Sequence, residues 1–382
     1  MHLLAAQPGG IADGAEAVDL AQTPGDIVFA SAADTELSSL AAARQQLAAD
    51  APSLCLANLM QLSHNLSVDL WVDQVVRSAR LVVVRVLGGI GYWPYGVARL
   101  ADVCRANGVA LAVLPGDDKP DPDLVALGTI SPDAIDQLWR YLIHGGNANA
   151  VAFLNYAAHL IGEKTDYAEP APLPRAGFYW PGLAGEATAD AIAAEWTAGQ
   201  PATAVLFYRA LVQGGHTAPI DALVEELSRQ GLNPLPIFVA SLRDPPAAQF
   251  VSSALAITPP AIVLTTCAFA VSTPDERRAG PLDDFDAPVF QVVFAGNTKG
   301  AWAEGNAGLS ARDIAMHVAL PEVDGRILTR AVAFKTEARR DAATETTLVA
   351  FEAEPDRVRF VATLAAAWAR LRNTPANERR IG

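Results

Sequence analysis

Cysteine is scarce in this chain: three in 382 residues, Cys55, Cys104 and Cys267, far apart and without a CxxC pair. That argues against a disulfide framework and a zinc ribbon, and for a reduced, cytoplasmic setting. Positive charge is short as well. Twenty-eight basic residues stand against 42 acidic ones, for a net charge of −14. Without a basic stripe, nucleic acid and anionic membrane are both poor partners. The opening "MHLLAAQPGG" has no basic n-region and only a very short apolar run, so it is not a secretory signal. The longest apolar stretch, near Ala254–Val271, is interrupted by Pro259-Pro260 and reads as a buried strand rather than a membrane span. Nucleotide-binding GxGxxG and P-loop patterns are missing, and so are a GxSxG elbow and HxH or HExxH spacing.

What is present is apolar residue in quantity, 51% of the chain, arranged in short runs. "DIVFA" (Asp26–Ala30), "LCLANL" (Leu54–Leu59), "LVVVRV" (Leu81–Val86) and "VALAVL" (Val109–Leu114) predict buried strands. Between the last two, Val97, Leu100, Ala101 and Cys104 follow helical spacing, and Gly108 stands where the helix should stop. The same grammar returns in "AVLFY" (Ala204–Tyr208), Gly214-Gly215, a helix face of Ile220, Leu223, Val224 and Leu227, then Gly231 and "LPIFVA" (Leu235–Ala240). "AIVLTT" and "VFQVVF" continue the series. Continuous apolar strands alternating with helices predict an α/β chain of two doubly wound, mainly parallel-sheet domains with additional helices.

Ser131 and Pro132 open a further helix carrying Ile135, Leu138, Trp139, Leu142 and Ile143. The proline-rich "DYAEPAPLPRAGFYWPG" after it reads as a linker. The expected division is a first α/β domain over 1–170, a linker region over 171–200, a second α/β domain over 201–340 and a helical C-terminal segment over 341–382. Val361, Leu364, Trp368 and Leu371 mark the late helix.

Loops at the carboxyl ends of parallel strands are the default ligand sites of such folds. "LGGIGYWPYG" (Leu87–Gly96) is one. Its Tyr92, Trp93 and Tyr95 suit stacking on a flat ligand and equally suit packing. "VQGGHTAP" (Val212–Pro219) is the second, with Thr217 as N-cap. His216 there precedes a helix start, whose dipole favours a neutral imidazole able to bind metal or accept a proton. A hydrogen-bonded loop histidine fits the same spacing. His2, His64, His144, His159 and His317 are scattered and read as structural. Arg85 and Arg209 lie near strand ends, where they can meet carboxylates of a ligand or of the protein. In "VALPEVDGRI", a capping box of Ser310 and Asp313 opens a helix that should end just before Pro321. Glu322 and Asp324 then fall in a tight turn, and side chains separated by one residue need not converge on one ligand.

Several long segments carry a resemblance. They are "DGAEAVDLAQTPGDIVFASAADTELSSLAAA", "RVLGGIGYWPYG", "HGGNANAVAFLNYAA", "FYRALVQGGHTAPIDALVEEL" and "MHVALPEVDGRI". Together the chain resembles the CobN-type large subunits of aerobic, ATP-dependent cobaltochelatase, which are related to the magnesium chelatase large subunit. The resemblance implies Co²⁺ insertion into hydrogenobyrinic acid a,c-diamide during cobalamin synthesis, with Co²⁺ as the substrate metal. It also implies two smaller partners, an AAA+ ATPase subunit and a second small subunit, that use the ATP; this chain would bind none. Family members continue well beyond 382 residues, so the chain reads as an N-terminal portion, inactive alone, with "NERRIG" opening a further strand. By residue type and family-like position, Glu322, Asp324 and His216 are candidates for proton and metal handling. Tyr92, Trp93, Tyr95 and Arg209 are candidates for contact with the macrocycle.

Overall fold

The computed structural model describes residues 16–183, 187–273, 275–306, 308–336 and 339–379. His2, the opening decapeptide and the last three residues of "NERRIG" lie outside them. The chain forms two compact units. Unit 1 comprises Met1–Leu173, Gln213–Gly215 and Ala338–Val349. Unit 2 comprises Pro174–Val212, His216–Glu337 and Ala350–Gly382. The first division, after Leu173, falls inside the proline-rich stretch. The segment 341–382, read as one helical piece, is shared: its first part folds with unit 1 and the rest with unit 2.

Unit 1 alternates β1 (Ile27–Ser31), α1 (Asp34–Arg44), β2 (Leu54–Asn58), α2 (Asn65–Gln74), β3 (Leu81–Val86), α3 (Pro94–Asn107) and β4 (Ala110–Pro115). Three helices follow, α4 (Pro122–Val125), α5 (Pro132–His144) and α6 (Asn147–Leu160). The strands pair in the order β2-β1-β3-β4, all parallel. Every residue of β1, β2 and β3 is buried, as strands covered on both faces must be. Alternation splits them cleanly. Val28, Ala30, Cys55, Val82, Val84, Leu111 and Val113 pack under α2 and α3, with Trp71, Val97, Leu100 and Cys104. Ile27, Phe29, Leu56, Leu81, Val83 and Leu114 pack under α1, α5 and α6, with Leu37, Leu138 and Phe153. Each fully buried aliphatic or aromatic side chain contributes about 2 kcal/mol. The predicted boundaries hold at α5, where Ser131 Oγ accepts the Ala134 N–H, and at α3, which stops at Gly108 with φ +69°.

Unit 2 runs through β5 (Ala176–Phe178), α7 (Ala189–Ala194), β6 (Ala202–Tyr208), α8 (Arg209–Gln213), α9 (Ala218–Arg229), β7 (Asn233–Val239), α10 (Pro245–Ile257), β8 (Ile262–Thr265) and β9 (Val289–Thr298). Two short helices follow, α11 (Lys299–Glu304) and α12 (Ala311–Ile314). A π turn over Ala315–Ala319 carries α12 into α13 (Leu320–Glu322), which leads to β10 (Ile327–Lys335). A hairpin of β11 (Arg339–Asp341) and β12 (Thr346–Leu348) belongs to unit 1. Then β13 (Phe351–Ala353) and α14 (Pro355–Asn373) complete unit 2.

The seven-stranded order is β13-β10-β9-β8-β6-β7-β5. Its five central strands are parallel and its two edges antiparallel. Numbered along the chain, that central order is 2-1-3-4-5, and unit 1 is 2-1-3-4. Both units are therefore doubly wound in the same sense, and each reverses direction between its first and third strands.

Three local readings change. Ala254–Ile257 are the last turn of α10, so only β8 within the long apolar stretch is strand. Among the described residues, no helix is long and apolar enough to cross a membrane. The helix before Pro321 does not stop there. It continues through Glu322 because the preceding turn widens: the Leu320 N–H reaches back five residues to the Ala315 carbonyl. A π turn makes room for a ring that would clash in an α turn. In α14, of the four predicted face residues, Val361 is buried, Leu364 half-buried, and Trp368 and Leu371 exposed.

Candidate functional site

The crevice where a doubly wound sheet reverses direction is the place to search. In unit 1 it lies between the carboxyl ends of β1 and β3, and the protein's own charges fill it. Ser31 Oγ donates to Glu36 Oε2 at 2.6 Å. The Arg85 guanidinium pairs with the other Glu36 oxygen, and its Nε donates to the Pro115 carbonyl at 3.0 Å. Ser31 is 0%, Glu36 9% and Arg85 2% exposed. Arg85 is thus held by Glu36 and a carbonyl, the ion-pairing alternative to ligand contact.

The loop after β3 divides its aromatics. Trp93 is buried, and its indole N–H donates to the Leu62 carbonyl at 2.8 Å. Gly96 makes room for it: a Cβ there would lie 2.0 Å from the Trp93 ring. Tyr92 and Tyr95 stay on the surface, 44% and 39% exposed. The Tyr92 hydroxyl meets Met60 Sδ at 3.2 Å, and the Tyr95 hydroxyl donates to the Asp69 carboxylate at 2.8 Å. That bond holds the Tyr95 proton and pushes its pKa up. Trp93 serves as the wedge and the two tyrosines stay at the surface.

In unit 2 the reversal lies between β6 and β8, and the segment leaving β8 is built with unusual care. Residues 267–272 form no regular structure, yet side chains hold their backbone almost group by group. Thr265 Oγ1 accepts the Cys267 N–H at 3.1 Å. The Tyr208 hydroxyl oxygen, at the end of β6, accepts from Ala268 and Phe269 at 2.9 and 3.1 Å. Asp324 accepts the Val271 and Ser272 N–H groups at 2.8 and 2.9 Å. Arg326 donates to the carbonyls of Cys267 at 2.5 Å and Phe269 at 3.0 Å, to Gln291 Oε1 at 3.2 Å and to Asp324 at 2.9 Å. Arg243 donates to Ala270 at 2.5 Å and Ser272 at 3.4 Å.

Irregular backbone can be buried only when its polar groups are paired, and here five side chains pair them. The segment presents Phe269 and Val271, both only half-buried. Beside it lies a small, shallow depression of about 30 Å³, open to solvent, lined by Leu242, Val271, Leu282, Arg277, Arg278 and Arg326 among others. Its lining mixes apolar side chains with charges of both signs, Asp283 and Asp324 beside the arginines, and the exposed Arg277 and Arg278 pair with Asp283 and Glu276.

The two carboxylates of "PEVDG" separate completely. The helix ends in a Schellman closure: Arg326 N–H to Pro321 carbonyl at 3.4 Å and Gly325 N–H to Glu322 carbonyl at 2.9 Å, with Gly325 at φ +72°. Asp324 turns inward onto the β8 segment. Burial pushes its pKa up, but the Ser272 and Val271 N–H groups and Arg326 outweigh that, and it ends below the usual carboxylate range. Glu322 is exposed, and its carboxylate makes no hydrogen bond or ion pair among the described residues.

His216 is half-buried after the Gly-Gly turn, and its backbone N–H reaches the Leu211 carbonyl at 2.8 Å. Burial lowers its pKa and keeps it neutral. Thr217 holds the N-cap position, but its hydroxyl points instead to Asp221 at 3.5 Å, and Tyr179 donates to the same carboxylate at 2.6 Å. Burial raises the pKa of both Asp221 and Tyr179. Arg209 Nε donates to the Pro174 carbonyl at 2.9 Å. Among the described residues no three His, Cys, Asp or Glu side chains are grouped to hold a metal ion. His216, Glu322 and Asp324 are therefore not gathered into one ligand set. Sequence spacing missed Arg326, Tyr208 and Arg243. Arg326 sits inside the quoted "PEVDGRI", but a single arginine at a strand start carries no periodic signal.

The family model described as CobN/Magnesium Chelatase matches residues 139–382. The aerobic cobaltochelatase subunit CobN of Sinorhizobium sp is 45% identical over 100% of this chain, and that of Pseudomonas aeruginosa 42% identical over 100%. In both cases the chain spans about 30% of the relative's length. A magnesium-chelatase subunit of Cereibacter sphaeroides is 32% identical over 51% of this chain and 16% of its own length. Among solved structures, the catalytic subunit of cobaltochelatase from Mycobacterium tuberculosis superposes with a TM-score of 0.69 at 26% identity, over 93% of this chain and 28% of that one.

Proposed function

Because the chain belongs to the CobN/magnesium chelatase family, we propose that it is an N-terminal, macrocycle-binding portion of a cobaltochelatase large subunit. The observation that carries this reading is the identity of 45% and 42% to two CobN subunits across the whole chain. The substrate is hydrogenobyrinic acid a,c-diamide, and Co²⁺ is the metal inserted. ATP is used by an AAA+ ATPase subunit and a second small subunit, with the chain at work in the cytoplasm.

Insertion requires a held ring, a base for its inner N–H protons and ligands for a metal shedding water. Tyr92 and Tyr95, exposed over the Trp93 wedge, suit ring contact, and Arg209 suits a ring carboxylate. A neutral His216 suits proton acceptance or metal contact, and exposed Glu322 suits metal capture. Asp324, its oxygens already engaged, acts by positioning the β8 segment. Titration of the chain with the corrinoid precursor tests the reading. A saturable change in absorbance is expected, weakened about tenfold by Tyr92→Ala or Tyr95→Ala. No spectral change at high micromolar concentration overturns ring binding.

The span of about 30% of the relatives' length favours a second reading, a tetrapyrrole-binding or partner-docking module without turnover. A cobalt-insertion assay with the ATPase partners, ATP and Co²⁺ separates the two. The module reading expects binding without insertion.

A further inference from the structure

The last helix of unit 2 is built inside out. In α14 the small residues face inward: Val358, Val361, Ala362, Ala365, Ala366 and Ala369 are buried. The large ones face outward: Phe360 is 40%, Trp368 37% and Leu371 43% exposed. With half-buried Leu364 they recur at i, i+4, i+8 and i+11, a single stripe along the helix. A surface helix ordinarily buries its large apolar residues and shows polar ones. The stripe is braced from the sheet. The Arg330 guanidinium lies 3.4 Å from the Phe360 ring centre, and Trp368 meets Phe290 edge-on at 5.7 Å. Phe290 is fully buried and supports Trp368 from beneath, while its register partner Ile327 is 40% exposed. A row of large apolar side chains on the outer face of a helix is where an interaction site is sought.

Its charge says what fits. The helix carries Arg357, Arg359, Arg370 and Arg372 against a single acid, Asp356, within a chain of net charge −14. Arg370 has no acidic partner among the described residues. Arg359 and Arg372 pair with Asp356 at 3.1 Å and Asp286 at 3.5 Å, and Arg359 also lies within the field of Glu226. Exposed pairs of this kind are worth little and exchange readily. A two-fold dimer through this face would bring together two helices of the same net positive charge. An anionic bilayer would attract the helix but repel the strongly acidic remainder. We propose that the outward face of α14 is the docking site for an acidic amphipathic helix of a partner protein, its apolar stripe laid along Phe360, Leu364, Trp368 and Leu371 and its carboxylates meeting Arg370 and Arg372.

The probes are a synthetic Leu/Glu amphipathic helical peptide and its Leu/Lys twin, titrated into the whole chain and followed by calorimetry. The Leu/Glu peptide is expected to bind and the Leu/Lys peptide at least tenfold more weakly. Arg370→Glu and Leu371→Ser should each weaken the Leu/Glu peptide at least tenfold. Both positions are exposed, so the melting temperature should hold and report that the variants are folded. Equal binding of the two peptides, or no binding of the acidic one, overturns the proposal. So does a concentration-dependent dimer that Leu371→Ser abolishes, which would make a second copy the occupant. Capture by phosphatidylglycerol vesicles without peptide binding would make it a membrane face and overturn it equally.

Discussion

Asp324 and Glu322 are the same kind of residue two positions apart, and the structure gives them opposite fates. The Asp324 carboxylate takes two backbone N–H groups and Arg326, whose side chain is 3% exposed. Removing it strands a buried guanidinium, the costly way to break such a pair. Asp324→Ala should lower unfolding free energy by about 3 kcal/mol, whereas Glu322→Gln should change it by less than about 0.5 kcal/mol. Urea denaturation at neutral pH measures both. The sign with pH follows from the depressed pKa of Asp324. Its contribution is present above the unfolded carboxylate value and lost as pH falls through the folded one. The parent protein should therefore lose stability on acidification below about pH 4 more steeply than Asp324→Ala does. Sequence alone offers no means to distinguish the two acids. Both stand in a turn, and what separates them is a loop more than fifty residues earlier in the chain.

Elements read more easily than residues because their signals are periodic. The buried strand runs, the α3 and α9 faces, and the Ser131 and Gly108 boundaries all follow from spacing and stop residues that act locally. The misread elements are those where a tertiary or backbone adjustment overrides the local rule. Pro321 predicts a stop, and a π turn lets the helix run on. The "GYWPYG" loop shows a third case, a motif whose aromatics look alike in sequence and separate in space. The absence of a side chain at Gly96 lets Trp93 enter the core while Tyr92 and Tyr95 remain outside. Gly96→Ala places a methyl within the indole and should cost about 2 kcal/mol or more by overpacking. It should also expel Trp93, seen as a red-shifted tryptophan emission that Trp93→Phe removes. An unshifted spectrum with unchanged stability would mean that the wedge is not set by Gly96.

At the scale of the molecule, the feature hardest to foresee is the course of the chain. Two doubly wound domains were legible from repeated strand, Gly-Gly, helix, glycine, strand grammar, but their matching strand order and the hairpin of β11 and β12 were not. Its three-residue strands are polar, with no periodicity to announce them. The hairpin closes the edge of unit 1: the Leu56 N–H on β2 donates to the Thr344 carbonyl at 3.0 Å. Gln22 Nε2 donates to the Glu345 carbonyl at 3.0 Å, and Glu345 accepts from Thr23 at 2.6 and 2.8 Å. An edge strand left bare is a template for mispairing, so a cover is a real contribution. The base of the excursion is pinned in unit 2. Lys335 faces Phe351 across an antiparallel pair, and the Thr336 N–H meets the Ala350 carbonyl at 2.9 Å. Residues 337–349 can therefore be replaced by an Asn-Gly turn without stretching β10 or β13. In that variant, amide exchange of β2 and of Gln22 and Thr23 should accelerate by roughly tenfold or more, equivalent to at least about 1.4 kcal/mol of lost protection. Exchange in β6, β8 and β9 should be unchanged, and the protein should aggregate faster on warming. Acceleration spread equally over both sheets would mean that the hairpin serves the whole molecule rather than one edge of unit 1.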